Sequence, residues 1–170
     1  EKLFDVDAVT YNLDASGNTM RQHCYGGSGG ESPGTVEQTP DGGFIFTTYS
    51  SSSNGDVSPT VNGDFWLVRL DQTGNIIWQK VFGGDQGEAP HGLVQLTDGY
   101  IIAGISFSND QLNSNHGNGD IWVIKTDLTG NLLWQKFYGG SDYEFANNII
   151  KAKDGAVIIA GESKSSDGNS

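Results

Sequence analysis

Runs of apolar residues separated by polar turns follow one another along this chain. Two of the clearest runs, Asp120–Thr126 and Leu132–Tyr138, are rich in β-branched and aromatic residues and therefore favour β-strands. Residues 127–131 between them, Asp-Leu-Thr-Gly-Asn, are typical of a tight turn in which Gly130 can adopt a positive φ. The pattern predicts a β-hairpin over residues 120–138.

A second, weaker hairpin is predicted directly after the first. The Gly139-Gly140 step ends the preceding strand, and a further strand is predicted over residues 145–151. A turn at Asp154-Gly155 then opens a fourth strand over residues 156–162. The alternative for residues 145–151 is a short helix. Polar loops of about 14 residues connect the fourth strand of one group to the next group, at 50–63 and 106–119.

The chain contains three copies of this pattern. Residues 64–84 read DFWLVRLDQTGNIIWQKVFGG, and residues 120–140, which lie 56 positions later, read DIWVIKTDLTGNLLWQKFYGG. A weaker copy over residues 7–27, DAVTYNLDASGNTMRQHCYGG, has Val9 and Arg21 where the other copies have tryptophan. Self-similarity at a fixed period is the signature of repeat architectures. We therefore predict one repeat domain over residues 1–170, with units at about 7–63, 64–119 and 120–170.

Four antiparallel strands that recur with Trp and Gly signatures are typical of a β-propeller blade. The predicted fold is therefore all-β, with three four-stranded blades. Closed propellers use about four to eight blades, so we expect the chain to be a segment of a larger propeller. In that arrangement the N-terminal hairpin forms the outer two strands of one blade, and residues 143–163 form the inner two of another. A ring of several copies and a compact three-unit bundle are the alternatives.

Composition and charge narrow the classes of partner. The 170 residues include 25 glycines, and 9 basic against 21 acidic residues give a formal charge of -12 without any basic cluster. Binding to a nucleic-acid backbone requires clustered basic residues that neutralise its phosphates, so nucleic acid is not an expected partner of this acidic chain. The longest apolar runs are four or five residues, which excludes membrane insertion through a helix. Residue 1 is not followed by a signal-peptide pattern, so we expect a targeting peptide to be absent or already removed.

The chain has a single cysteine, Cys24, which cannot form an internal disulfide. It lies in a predicted strand of the first unit. Free cysteine behaves as a small apolar residue and is among the residue types most often buried. We therefore expect Cys24 to be a buried, unreactive thiol rather than a nucleophile.

The run GDxWxxKxDxxGNxxWQKxxGG, at 63–84 and 119–140, is combined with DGxxIIAGxSxS, at 98–108 and 154–165. Together they resemble a repeat that is widespread in large secreted and cell-surface proteins of bacteria with type IX secretion. The resemblance implies a β-propeller in an exported protein, secreted or on the outer-membrane exterior, usually beside adhesion-type or sorting domains. It implies no catalytic activity, and Val9 and Arg21 depart from its pattern.

The repeated tryptophans and turn glycines are interpreted as structural. They recur at the same phase of the repeat, as packing between blades requires, although paired tryptophans could also form an aromatic platform for sugars. Gly74 and Gly130 close equivalent hairpins. The residues of this structural set are Trp66, Trp78, Trp122, Trp134, Gly74 and Gly130.

The polar loops are the favoured binding regions. Loops 50–63 and 106–119 are rich in Asn, Asp and Gly, and oxygen ligands are the type that Ca²⁺ prefers. Neither loop matches the EF-hand string, and the same residue types occur in ordinary long turns. Calcium is the one cofactor that the loops suggest. Its candidate ligands are Asp56, Asp64, Asp110 and Asp120.

No catalytic constellation is recognisable in the sequence. His23, His91 and His116 fall at different phases of the repeat and match no metal or triad motif. Glu31, Glu88 and Glu144 each follow a Gly-Gly step, and we expect them to form hydrogen bonds with that step; the alternative is that they ring the central channel of a propeller.

The expected function is therefore a non-enzymatic scaffold or binding module. Its partners are a protein or glycan at the cell surface, together with further blades from the same longer chain or from other copies. The alternatives are a polysaccharide-acting propeller hydrolase or lyase, in which acidic residues converge in one deep pocket, and a subunit or fragment of a larger cell-surface assembly.

Overall fold

A computed structural model describes residues 6–58, 63–110 and 115–167, and within these ranges the chain is all-β, as predicted. The strands are β1 (Ala8–Leu13), β2 (Thr19–Tyr25), β3 (Glu31–Gln38), β4 (Phe44–Ser50), β5 (Asp64–Leu70), β6 (Ile76–Phe82), β7 (Glu88–Gln95), β8 (Tyr100–Ser106), β9 (Asp120–Thr126), β10 (Leu132–Tyr138), β11 (Glu144–Lys151) and β12 (Val157–Ser163). The third element of each unit is a strand, so the alternative of a short helix is wrong. The described residues hold no helix that is long and apolar enough to cross a membrane.

The strands form four antiparallel sheets whose limits differ from those of the sequence repeats. Two sheets have four strands, in the orders β3-β4-β5-β6 and β7-β8-β9-β10, and two have two strands, β1-β2 and β11-β12. Each four-stranded sheet thus combines the second hairpin of one unit with the first hairpin of the next. The join between the two hairpins, β4 with β5 and β8 with β9, has the same register in both sheets, because Ser50 lies opposite Asp64 and Ser106 lies opposite Asp120.

Consecutive sheets pack face to face through their first strands. Strand β7 contacts β3, β4 and β5 of the preceding sheet, and β11 contacts β7, β8 and β9 in the same way. The first of these interfaces is the main core. Its buried residues are Ile45, Phe65, Leu67, Leu93, Tyr100, Ile102, Trp122 and Ile124.

The tight turns of the first hairpins follow the sequence pattern. Gly74 and Gly130 have φ values of 92° and 80°, which is the left-handed region that favours glycine. In the second of these turns, Asp127 Oδ1 accepts hydrogen bonds from the backbone N–H groups of Thr129 (2.8 Å) and Asn131 (2.9 Å). Hydrogen bonds from Asn131 and Thr129 lower the pKa of Asp127 to about 2.

The expectation of a buried thiol is wrong, because Cys24 is exposed. The residue does lie in a strand, β2. Its counterpart one unit later, Val81, packs against an apolar cluster that forms between the sheet β1-β2 and the next sheet. Among the described residues, no sheet covers the corresponding side of β2, so the side chain at this position meets solvent.

Candidate functional site

Strands β3, β7 and β11 each begin with a buried glutamate, which accepts a hydrogen bond from the Gly-Gly step that precedes the strand. Glu31, Glu88 and Glu144 are 2%, 1% and 4% exposed. Their Oε2 atoms accept hydrogen bonds from the backbone N–H groups of Gly27 (3.3 Å), Gly84 (3.0 Å) and Gly140 (2.8 Å). The predicted hydrogen bonding of these glutamates to the Gly-Gly steps is therefore confirmed.

The other oxygen of each glutamate holds the start of a long loop. Glu31 Oε1 accepts hydrogen bonds from the hydroxyl groups of Ser50 (2.7 Å) and Ser52 (2.6 Å). Glu88 Oε1 accepts the equivalent hydrogen bonds from Ser106 (2.9 Å) and Ser108. These serines are the Ser-x-Ser ends of the repeated motif, to which sequence reasoning assigned no role. Each glutamate thereby ties the loop after one strand to the Gly-Gly step that follows the preceding hairpin.

A second carboxylate meets each glutamate at the first glycine of the step. A Cβ atom placed on Gly139 would lie 2.5 Å from Asp120 Oδ1 and 2.5 Å from Glu144 Oε2, and Asp64 and Glu88 flank Gly83 in the same way. Burial raises the pKa of Glu88, and the negative charge of Asp64 acts in the same direction. The paired carboxylates therefore leave room for glycine alone.

His116 covers one of these aspartates. Asp120 is 0% exposed, and its Oδ2 accepts a hydrogen bond from His116 N (3.0 Å) and lies 2.5 Å from His116 Nδ1. The imidazole is itself partly exposed, so this contact fixes the last turn of loop 106–119 against the start of β9.

The loop after β4 lies against the preceding hairpin. Asp56 Oδ2 accepts a hydrogen bond from Gly26 N (3.3 Å), and Asp56 N donates one to Gly26 O (2.9 Å). Asn54 Oδ1 accepts a hydrogen bond from Ser28 N (2.8 Å), while Val57 is buried beside Trp66. These side-chain oxygens of Asn54 and Asp56 are thus engaged in holding the loop.

The four calcium candidates occupy different environments. Asp56 is exposed, Asp110 is half-buried, and Asp64 and Asp120 are buried at strand starts. Within the part of the chain that the structure describes, no group of three or more His, Cys, Asp or Glu side chains could hold a metal ion. Residues 59–62 and 111–114 of the two loops lie outside the described residues, so the calcium site stays a prediction.

The repeated tryptophans lie mainly between sheets. Trp66 and Trp122 are 0% and 2% exposed, and Trp66 Nε1 donates a hydrogen bond to Gln79 Oε1 (2.6 Å). Trp78 is half-buried against Tyr100, whereas Trp134 is 37% exposed on the last strand of its sheet. Three of the four therefore contribute packing, and only Trp134 presents a ring to solvent.

A cluster of aromatic rings lies beside loop 106–119, and sequence reasoning missed it. The rings of Phe107 and Tyr143 meet edge to face at 6.3 Å, Tyr143 and Phe145 stack at 6.2 Å, and Lys164 Nζ lies 5.5 Å from the Tyr143 ring centroid. A parallel bridge between Gly119 and Tyr143 brings these segments together. We call Phe107, Tyr143, Phe145 and Lys164 the aromatic cluster.

The aromatic cluster does not belong to the repeat. The equivalents of Phe107 and Tyr143 one unit earlier are Ser51 and Gly87, so packing between repeated sheets does not require these rings. Phe107 is also 38% exposed. Aromatic rings held beside a cation at an exposed edge can stack on sugar rings or on apolar side chains of a protein.

Comparison with models of protein families finds no match for this sequence, and a search among curated proteins finds no relative. The family resemblance stated above therefore stays an expectation.

Proposed function

We propose that this chain is a non-enzymatic β-propeller segment, secreted or displayed on the cell surface, that binds a glycan or protein. The observation that carries the proposal is the aromatic cluster, because its half-exposed rings lie beside a long loop and do not recur with the repeat. Connecting loops on a rigid scaffold are common binding sites. The glutamates that anchor the loops after β4 and β8 make the scaffold rigid at this edge.

The stacking of sheets supports the propeller arrangement. The first strands β3, β7 and β11 are successive neighbours in space, and each four-stranded sheet is ordered from that first strand outwards. Contacts between consecutive sheets are what blades around an axis require, and they therefore support this arrangement. The two-stranded sheets at both ends match the expected outer and inner halves of further blades.

The carboxylate pairs argue for structure rather than catalysis. Glycoside hydrolysis needs two carboxyl groups that reach a bound sugar. Asp120 and Glu144 are instead 0% and 4% exposed, and Glu144 already accepts hydrogen bonds from Gly140 N and Ser163 Oγ. A sugar therefore does not reach these two carboxyl groups, which favours the binding module over the hydrolase or lyase.

Binding is tested with the purified chain on an array of bacterial and plant polysaccharides, followed by calorimetry on any glycan retained. We expect Phe107→Ala and Tyr143→Ala to weaken binding about tenfold or more, as for central aromatic contacts in other interfaces. Tyr138→Ala is the matched control, because Tyr138 is 45% exposed on β10 and lies outside the aromatic cluster.

Two results would contradict the proposal. Release of reducing ends from a bound polysaccharide would make the chain an enzyme. Equal affinities of the Phe107→Ala, Tyr143→Ala and Tyr138→Ala variants would place the binding surface elsewhere.

A further inference from the structure

A groove of about 1050 Å³ lies between the two complete four-stranded sheets, at the end of the sheets where the tight turns lie. One wall comes from β3, β5 and β6, the other from β7, β8 and the β9–β10 turn, and β11 contributes only Lys151. The groove lies inside the stack, so both sheets that form its walls have all four strands. We call the space bordered by Glu37, Gln38, Gln95, Leu128 and Lys151 the turn-side groove.

Glu37 lies in the turn-side groove at a position where the repeat otherwise has an apolar residue. Its counterparts in the next two units are Ile150 and Val94, and Val94 is 5% exposed in the apolar cluster of the following interface. Glu37 is instead half-buried, and its Oε2 accepts a hydrogen bond from Gln95 N (2.9 Å). Among the described residues, Oε1 of Glu37 has no such partner. One oxygen thus fixes the carboxylate, and the other is available to a ligand.

The β7–β8 turn beside the groove is one residue shorter than the equivalent turns. Strand pairing closes the β3–β4 and β11–β12 turns over six positions, at Gln38–Phe44 and Lys151–Val157, but closes the β7–β8 turn over five, at Gln95–Tyr100. Leu96 and Thr97 of the short turn line the groove. Two departures from the repeat therefore coincide here, and places where a sequence breaks its own local rule are expected to be functional sites.

The turn-side groove offers a ligand both hydrogen-bonding groups and apolar surface. The side-chain amides of Gln38 and Gln95 have no hydrogen-bond partner among the described residues, so each has an oxygen and an NH₂ group for a ligand. Leu128 and Ile77 border the groove and are 45% and 55% exposed, and Leu128 replaces Gln72 of the preceding unit. Sugar hydroxyl groups both donate and accept hydrogen bonds, and the C–H faces of a sugar ring are apolar. A sugar therefore matches this combination.

The charges at the groove balance each other. Arg69 Nη2 lies 2.5 Å from Asp41 Oδ2, so these two groups form an ion pair. Lys151 and Glu37 add one charge of each sign. Basic side chains at the groove disfavour a cationic ligand, and the formal charge of -12 on the chain repels an anionic polymer. The electrostatics therefore favour a neutral ligand.

We propose that the turn-side groove binds a neutral oligosaccharide. Glu37 Oε1 accepts a hydrogen bond from one sugar hydroxyl group, and the amides of Gln38 and Gln95 bind neighbouring ones. Leu128 packs against the apolar face of a sugar ring. A volume of about 1050 Å³ is at the upper end of the range of about 300–1,000 Å³ for small-ligand sites, which suits several linked sugars rather than one.

This site is separate from the aromatic cluster of the proposed function. Strand β8 runs from one to the other, since Tyr100 at its start lines the groove and Phe107 directly follows its end. Seven residues of strand span about 20 Å. The chain thus has two candidate binding sites at opposite ends of its sheets, and neither proposal depends on the other.

The test is calorimetry on the purified chain with neutral hexasaccharides, namely cellohexaose, maltohexaose, xylohexaose, mannohexaose and N-acetylchitohexaose. We expect at least one of them to bind. In NMR spectra the bound sugar should shift the indole N–H signal of Trp78, which borders the groove, and leave that of Trp134 in place. Acidic hexagalacturonate and basic hexaglucosamine should bind more weakly than the neutral ligand.

Two groove variants and one control locate the binding. Glu37→Val should weaken binding about tenfold or more, and Gln38→Ala about three- to tenfold, as expected for hydrogen bonds from a charged and a neutral group. Valine is the repeat's own residue at the first position, and Gln38 is exposed, so both variants should fold, which circular dichroism checks. Gln22→Ala is the matched control for Gln38→Ala, because Gln22 is also exposed but lies on β2 outside the groove.

Three results would overturn the proposal. The first is that none of the five neutral hexasaccharides binds, and binding of a decapeptide library in their place would assign the groove to a protein partner. The second is binding that leaves the Trp78 signal unchanged or that Gln38→Ala and Gln22→Ala affect equally. The third is tighter binding of the acidic or the basic hexasaccharide.

Failure of this proposal is distinguishable from failure of the proposed function. A sugar whose affinity falls with Gln38→Ala but not with Phe107→Ala or Tyr143→Ala binds in the turn-side groove. A sugar with the reverse response binds at the aromatic cluster and supports only the proposed function.

Discussion

Replacing Gly139 by alanine tests whether the paired carboxylates are rigid. The substitution places a methyl group 2.5 Å from Asp120 Oδ1 and 2.5 Å from Glu144 Oε2, and both side chains are buried and cannot swing into solvent. Forcing an extra carbon into a packed site costs about 1–3 kcal/mol. Displacing Glu144 also weakens its hydrogen bond from Gly140 N (2.8 Å), and hydrogen bonds to charged groups contribute about 1.5–3 kcal/mol each.

The combined loss of unfolding free energy should be about 2–4 kcal/mol, since the two effects overlap at one carboxylate. For a chain of this length that corresponds to a fall in Tm of about 5–15 °C. Urea unfolding followed by tryptophan fluorescence measures the free energy, and circular dichroism measures Tm.

Two other glycines serve as controls. Gly30→Ala should change stability by less than about 0.5 kcal/mol, because the nearest atom to a new Cβ, Ser51 Oγ, is 3.9 Å away. Gly155→Ala meets nothing within 4 Å but has a φ of 90°, so it reports backbone strain alone, about 1–2 kcal/mol. A Gly139→Ala variant as stable as Gly30→Ala would refute the rigid carboxylate pair.

Three further predictions concern titration, reactivity and packing. Because burial raises the pKa of Glu88 above its unfolded value of 4.5, its protonation favours the folded state below pH 4.5, and this contribution is lost as pH rises through the folded pKa. Between pH 4.5 and neutrality, the Tm of the Glu88→Gln variant should therefore change less than the Tm of the wild type. Parallel plots of Tm against pH for the two proteins would contradict this. Cys24 should react with a thiol reagent at similar rates in native and urea-unfolded protein, and strong native protection would mean that it is buried. Trp122→Ala should cost about 3–5 kcal/mol in urea unfolding, whereas Trp134→Ala, at 37% exposure, should cost far less; equal losses would refute the difference in packing.

Much of the fold was predictable because the repeat supplies three versions of each element. The strands predicted over 120–126 and 132–138 have the bounds of β9 and β10, and the weaker hairpin differs by one residue at its ends. Turn chemistry fixed these limits locally, since Gly130 has the positive φ that its turn requires. Burial was harder to predict, because the exposure of the Cys24 side chain depends on whether a neighbouring sheet covers that side of β2.

The candidate site depended on contacts that are distant in sequence. The Ser-x-Ser residues resemble ordinary loop residues, and their role becomes clear only when Glu88 accepts hydrogen bonds from Ser106 and Ser108. Phe107 and Tyr143 are 36 positions apart and meet through the bridge at Gly119. The serines recur with the repeat, but their recurrence does not reveal that they contact the glutamates, and the aromatic cluster does not recur at all.

The offset between sequence units and sheets has a consequence for how such a chain can grow or shrink. Every internal join uses the same register, so removal of residues 64–119 would bring Ser50 opposite Asp120, in the place of Asp64. Duplication of a unit would likewise insert one complete four-stranded sheet and leave both terminal hairpins unchanged. Unequal recombination between neighbouring gene segments could therefore alter the number of sheets in a single step, without passing through an intermediate that has an unpaired strand in its interior.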